Sequence, residues 1–253
     1  MLDIVIPVYN EGPNILNVLS ALEREVKTPC KVFLCYDLED DNTLEAVRGS
    51  WHGSLDVYFV RNRGRGPHAA VLSGFDAGDN PFVLAFMADD EHNANIVDSM
   101  VELGRRGCRL VAASRFIKGG SMIDCPPLKA ALVRTASFTL CHLAGLPAHD
   151  ATNGFRLFSR ELLERARIES TQGFTYSLEL LAKCHRLGWP IGEVPAQWME
   201  RKQGQSRFRI LKWLPHYLRW YGYVFATTYL RRGSQTVTPP ANGRARPQVS
   251  PVA

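Results

Sequence analysis

The sharpest chemical signal in this 253-residue chain is a set of carboxylates at the end of an apolar run. Residues 82–87, Phe-Val-Leu-Ala-Phe-Met, read as a buried strand, and after Ala88 they open onto Asp89, Asp90, Glu91 and His92. Hard divalent cations take carboxylate oxygens and share their shell with substrate phosphates. In open α/β sheets, ligands sit outside the carboxyl ends of strands. The spacing alone fits two readings, a cation site on a strand end and a solvated acidic loop.

Related groups recur along the chain. Tyr9, Asn10 and Glu11 follow the β-branched run 3–8, and Asp37 follows the run 31–36. Three strand ends, of the first, second and fourth strands, thus put polar groups on one rim, since parallel strands end on the same side. Asp40, Asp41 and Asn42 precede a helix, where Asp and Asn favour a capping role. Asn62-Arg63-Gly64-Arg65-Gly66 also precedes a helix. Glycine lets a backbone approach a ligand closely, and a helix N-terminus attracts phosphate. Arg115, before Gly119-Gly120, and Arg134 further on could hold a second anion; singly, each also reads as a surface residue. A polar loop, Asp150 to Arg156, Glu193, and a basic Gly-containing loop over 201–207 complete the set. That last loop could fold over a diphosphate or serve as a solvated linker.

The elements that must position these groups alternate. Strands are expected at 3–8, 31–36, 57–60, 82–87 and 110–114, with helices at 14–26, from 42, 68–77 and 96–105. In the first helix Ile15, Val18, Leu19, Leu22 and Val26 recur with helical period. This alternation predicts a doubly wound, mostly parallel sheet. The second half reads as helices over 128–144 and 178–187, and a strand over 191–198 with Pro195 inside, hence at an edge. A last helix is expected from Pro215 to about Arg231. Residues 233–253, rich in Pro, Gly, Ser and Thr, are expected to be disordered.

Composition bounds the class. Apolar residues make up 45% and charged residues 22%, as in ordinary globular domains. The six cysteines form no CxxC pair or zinc spacing, which suits reduced thiols in a cytoplasmic protein. The net charge of +5 suits an anionic ligand or membrane surface. No stretch approaches the ~20 apolar residues of a membrane span, and no leader is read at the N-terminus.

Taken in order, these segments resemble the family 2 glycosyltransferases of GT-A fold. The likeness is greatest to the branch of dolichol-phosphate mannosyltransferase and bacterial polyprenyl-phosphate sugar transferases. It rests on IVIPVYNE (4–11), Asp37 within YDLEDDNT, NRGRG (62–66), MADDEHN (87–93) and ASRFIKGG (113–120). It continues through DATNGFR (150–156), GFTYSLELL (173–181), EVPAQW (193–198) and RKQGQSRF (201–208). The resemblance implies a GT-A domain over 1–208, an aromatic and basic amphipathic helix over 209–232, and the tail beyond. It implies a GDP- or UDP-hexose donor, with Pro7, Tyr9, Glu11 and Asp37 holding the nucleoside. Asp90 corresponds to the last acid of the DxD motif and, with His92, would ligate Mg2+ or Mn2+. Ala88 stands where the first acid is found, and Asp89 in the middle. Arg201 and Arg207 match the loop that closes over the donor, although Arg207 replaces a common lysine. Arg115 and Arg134 match arginines that bind an acceptor phosphate. Transfer would invert the anomeric carbon.

The acceptor decides whether a base is needed. A sugar hydroxyl must lose a proton to a carboxylate, for which Asp150 and Asp89 are the candidates. A polyprenyl phosphate of mannose or glucose class transfer is already ionised and needs only cations. A non-catalytic nucleotide-sugar-binding scaffold remains a third reading, because of Ala88. The last helix carries Trp213, Tyr217, Trp220, Tyr221, Tyr223, Phe225 and Tyr229 among basic residues. Such a helix suits a membrane interface or a packed contact, with the catalytic domain or in a homodimer. The expected location is the cytoplasmic face of a membrane, bound peripherally, directly or through a membrane partner protein, and no nucleic acid partner is expected.

Overall fold

The computed structural model describes residues 1–199, 210–240 and 247–252. Its first part alternates strictly: β1 (Leu2–Pro7), α1 (Asn14–Glu25), β2 (Cys30–Tyr36), α2 (Asn42–Ser50), β3 (Asp56–Arg61), α3 (Gly66–Ala77), β4 (Phe82–Ala85), α4 (Val97–Arg105) and β5 (Leu110–Ser114). The second part holds β6 (Ser121–Ile123), α5 (Pro127–Phe138), β7 (Arg156–Ser159), α6 (Arg160–Arg165), α7 (Thr175–Arg186), β8 (Ile191–Pro195), β9 (Gln197–Met199), α8 (Ile210–Tyr229) and β10 (Val249–Pro251).

The main sheet runs β10-β3-β2-β1-β4-β7-β5-β8, and β6 pairs with β9 in a second, two-stranded sheet. β1 pairs in parallel with β2 and β4, and β5 in parallel with β8. Only β7, between β4 and β5, and β10, on the outer side of β3, run antiparallel among the described strands. The sheet is therefore mixed and mostly parallel, as expected. Period-two alternation divides the strands between two cores. Leu2, Ile4 and Ile6 of β1 pack with Ile15, Leu19 and Leu22 of α1. Val5, turned the other way, packs with Val71 and Phe75 of α3 and Tyr176 of α7.

Local signals fix the helix starts. The Asp41 carboxylate accepts from the Thr43 amide and caps α2. The Ser159 hydroxyl does the same for α6 through Leu162. Gly66 opens α3 at φ +85°, a conformation that glycine adopts without Cβ strain.

Four segments differ from expectation. The helix expected over 128–144 ends at Phe138 and gives way to a π-helical turn, Thr139–Leu143. The run expected as one strand over 191–198 is broken at Ala196 and divided between the two sheets. The last helix begins at Ile210, which puts Pro215 inside it. The tail, read as disordered from its composition, contributes the edge strand β10, with Val249 opposite Val60, and buries Val237 to 2% exposure.

The aromatic residues of α8 largely turn inward. Trp220 and Val224 are fully buried, and Tyr217, Tyr221, Tyr223 and Phe225 pack against the same core. Lys183 of α7 lies 5.0 Å from the Trp220 ring centroid, and Arg186 hydrogen-bonds the Tyr223 carbonyl at 2.8 Å. The packed-helix reading thus describes most of its aromatic face. Among the described residues no helix is long and apolar enough to cross a membrane.

Candidate functional site

The carboxyl ends of β1, β2 and β4 share one rim. After β1, Asn10 takes φ +53°, and the turn is pinned to the start of α2. The Asn10 amide donates to Asp41, the Glu11 amide to the Thr43 hydroxyl at 3.0 Å, and the Gly12 amide to the Asn42 side chain at 2.8 Å. Asp41 is thus structural as well as capping, and Asn42, the first residue of α2, helps hold the turn. Tyr9, 45% exposed, stands out from this turn. Asp37 accepts from the Asn62 side chain at 2.6 Å and from the Gly66 amide at 2.8 Å. Asp37 therefore anchors the Gly-rich turn before α3 to the end of β2.

The acidic loop after β4 divides its carboxylates. Asp89 is exposed, whereas Asp90 is half-buried and turned back on its own loop. Its Oδ1 accepts from the amides of His92 (3.2 Å) and Asn93 (3.1 Å), and both its oxygens accept from Asn93 Nδ2 (2.9 and 2.7 Å). Burial pushes the Asp90 carboxyl above its ordinary value, against the pull of these hydrogen bonds. Asn93, only 4% exposed, also closes a pair with β9: Nδ2 donates to the Gln197 carbonyl at 2.7 Å and Oδ1 accepts from the Gln197 amide at 3.0 Å. His92 is exposed beside Glu91, and both line a cavity of about 270 Å3 with Asn17, Ser20 and Arg24 of α1. Ala88 is buried at 6% exposure. Among the described residues no three His, Cys, Asp or Glu side chains converge as a metal cage. Magnesium commonly needs no more than one or two carboxylates beside substrate phosphates.

Because β7 runs antiparallel between β4 and β5, its start lies on the same rim as their ends. The loop before it brings in Asp150, which has no exposed surface. Asp150 accepts from Arg115 Nε at 2.7 Å, Arg115 Nη2 at 2.9 Å and the Arg115 amide at 3.0 Å. Thr152 and Asn153 amides add two more donors. Burial would raise the Asp150 carboxyl, but the hydrogen bonds and charge of Arg115, with Arg156 behind, outweigh it and hold it below the usual carboxylate range. Burial in turn pulls Arg156 down to about 10. Glu193 of β8 accepts from the amides of His149 and Asp150, and its second oxygen lies 2.6 Å from His149 Nδ1. The carboxylate thus holds the loop that holds Arg115.

Arg115 offers less than its sequence position suggests, since its charge is met by Asp150 and its side chain is 7% exposed. Arg134, on α5, is exposed and lies 5.6 Å from the Phe116 ring centroid; Arg115 lies 5.2 Å from the same ring. Arg201 and Arg207 lie outside the described residues. Asn93 was not singled out from sequence. Its signal, a buried polar residue just before a helix start, is shared by many ordinary caps.

The sequence model of glycosyl transferase family 2 matches residues 3–167. A dolichyl-phosphate hexose transferase of Haloferax volcanii is 31% identical over 204 residues, covering 79% of this chain and 83% of that protein. A polyprenol monophosphomannose synthase of Mycolicibacterium smegmatis is 26% identical over 211 residues, covering 81% and 79%. Among solved structures, glucosyl-3-phosphoglycerate synthase of Mycobacterium tuberculosis with Mn2+, UDP-glucose and phosphoglyceric acid superposes with a TM-score of 0.65 at 17% identity, over 88% of this chain and 80% of that one. At that identity the likeness concerns the GT-A fold.

Proposed function

The chain belongs to glycosyl transferase family 2 and is a glycosyltransferase, and we propose that it moves a hexose, of mannose or glucose class, from a nucleotide sugar to a polyprenyl phosphate with inversion. The named activities of the two curated relatives support the acceptor, and the Mn2+ and UDP-glucose of the structural neighbour support a metal-bound nucleotide-sugar donor.

The observation that carries the acceptor is the pairing of Asp150. A hydroxyl acceptor needs a carboxylate within reach to take its proton. Asp150 is buried, holds its proton weakly and is saturated by Arg115 and backbone amides, and Asp89, the other candidate base, is taken up in this reading by the cation. A phosphate acceptor, ionised at neutral pH, needs no base.

In this reading Pro7, Tyr9, Glu11 and Asp37 form the nucleoside side of the cleft, with Asp37 also fixing the turn at Gly66. The acidic loop faces the donor diphosphate. Its donor set fits a hard cation: Asp89 is an exposed carboxylate, and Asp90 Oδ2 accepts a single hydrogen bond from Asn93. Asp89 and Asp90 would hold Mg2+ or Mn2+, with His92 at the border of the site. When bound, the cation offsets charge that develops on the leaving diphosphate. Arg201 and Arg207 would add positive charge on the same oxygens. Arg134 would orient the acceptor phosphate, and Arg115, fixed by Asp150, would support it through Phe116.

The test is direct. Purified protein is offered GDP- and UDP-hexoses with a short-chain polyprenyl phosphate, with Mg2+, Mn2+ or a chelator. Formation of a chelator-sensitive polyprenyl-phosphate hexose is expected. Transfer only to hydroxyl acceptors would overturn the acceptor reading, and unchanged transfer in chelator would overturn the metal.

A further inference from the structure

We propose that His149, oriented by Glu193, takes the acceptor's proton during transfer, which rests on the proposed reading and deepens it by adding a residue on the acceptor side. The Glu193 side chain is 11% exposed and meets His149 twice. Its Oε1 accepts from the His149 amide at 2.9 Å, and its Oε2 lies 2.6 Å from the ring Nδ1. A carboxylate can only accept, so Nδ1 carries the ring hydrogen and Nε2 keeps its lone pair. His149 is half-exposed, and among the described residues its Nε2 has no hydrogen-bond partner. A buried carboxylate behind a histidine with an open nitrogen is the arrangement of a general base.

Chain and contacts put this group on the acceptor side. Glu193 Oε1 also accepts from the amide of Asp150, next in the chain, and the Asp150 carboxylate holds Arg115. On the other side, the His149 ring lies 6.4 Å from the His142 ring, which lies 4.5 Å from Phe138, one helical turn beyond Arg134 on α5. His149 thus stands between the loop that clamps Arg115 and the helix that carries Arg134. Besides His142, the ionisable groups around the dyad are Cys141 and Asp150. Burial and the nearby Glu193 push the Cys141 thiol up, so it stays neutral, and Asp150 is met by Arg115. Residues 125–149 contain no Asp or Glu, so Glu193 is the negative charge that His149 faces. A phosphate acceptor needs no base at neutral pH but regains a proton toward its second ionisation, at about pH 6. That O–H bond then breaks and the proton goes to Nε2. The freed oxygen bonds to the anomeric carbon, and the bond from that carbon to the donor diphosphate breaks, its electron pair leaving with the diphosphate. His149 afterwards releases the proton to water.

The pH profile of transfer tests this. Rates at saturating short-chain polyprenyl phosphate are measured for wild type, H149Q, H149R and E193Q, with melting temperature as the check on folding. Between about pH 8 and about pH 5.5 the doubly ionised fraction of a phosphate falls about fourfold. The ratio of wild-type to H149Q rate should rise by about that factor over the same range, since one proton shared between Nε2 and the phosphate leaves the wild-type complex productive. H149R keeps a cation but takes no proton, and E193Q offers Nδ1 a donor, which moves the ring hydrogen to Nε2. Both should follow H149Q. A ratio constant across pH, as a merely structural role gives, would overturn the proposal, and so would a wild-type profile in H149R or E193Q. If only a hydroxyl acceptor is used, and H149Q loses that transfer at an unchanged melting temperature, the dyad stands and the phosphate reading of the acceptor fails. If H149Q keeps that transfer, or neither acceptor is used, both fail.

Discussion

Asn93 grips Asp90 with one amide nitrogen, 2.9 Å from Oδ1 and 2.7 Å from Oδ2, and grips Gln197 of β9 with the same amide group. One side chain therefore joins the acidic loop to the small second sheet. Asn93→Ala should lower stability by about 1–3 kcal/mol, because it leaves buried polar groups without partners. It should also raise the Mn2+ concentration for half-maximal binding about tenfold or more, as loss of a group that orients a ligand does. Thermal unfolding and a Mn2+ titration read by intrinsic fluorescence check the two effects separately.

The two aspartates should part company on substitution. Asp89 is exposed, so Asp89→Asn should leave the melting temperature unchanged while cutting transfer about a hundredfold or more. Asp90→Asn should lose both transfer and stability, because Asp90 also ties down its loop. Equal melting temperatures for the two variants would contradict this division.

The Arg115–Asp150 pair should set an acid limit. The folded-state value of Asp150 lies below its ordinary 3.8. Its contribution to stability is therefore complete above that unfolded-state value and is lost as pH falls from there through the lower folded-state value. Asp150→Asn should cost about 3–5 kcal/mol near neutrality by stranding a buried charge. The difference from wild type should narrow below the ordinary value, and a melting series against pH checks this.

Trp220→Ala should report on whether α8 is an integral part of the domain. The indole is 1% exposed and sits over Lys183, itself hydrogen-bonded to Glu179 at 2.7 Å. A loss of about 3–5 kcal/mol in urea unfolding is expected. A loss under about 1 kcal/mol would mean that α8 packs only loosely.

The first half of the fold was legible because each element carries a strong local pattern. β5 was read with its observed bounds, and α1 followed from Ile15, Val18, Leu19 and Leu22. β7 was not, since its four residues, Arg156 to Ser159, hide behind a polar loop and take their place only by pairing with β4 and β5. β10 was missed for the same reason: its order comes from Val60 and its neighbours across the sheet, not from its own composition. In the candidate site, residue types pointed to one rim, and the carboxyl ends of β1, β2 and β4 do share it. What they could not show was spending: Arg115 on Asp150, Asp37 on Gly66, Asp90 on Asn93. Those pairings join residues distant in sequence or turn on rotamers.

β10 also bears on how the protein behaves in a crowded solution. An open sheet presents a ladder of unpaired amides and carbonyls at each border, which invites another chain to add itself. At one border Pro195 ends β8, and at the other Val249–Pro251 shields β3. Protein lacking residues 247–253 would bare β3, with Val57, Phe59 and Val60 along it, and would be prone to self-association through that border even while the rim at the ends of β1, β2 and β4 stayed intact.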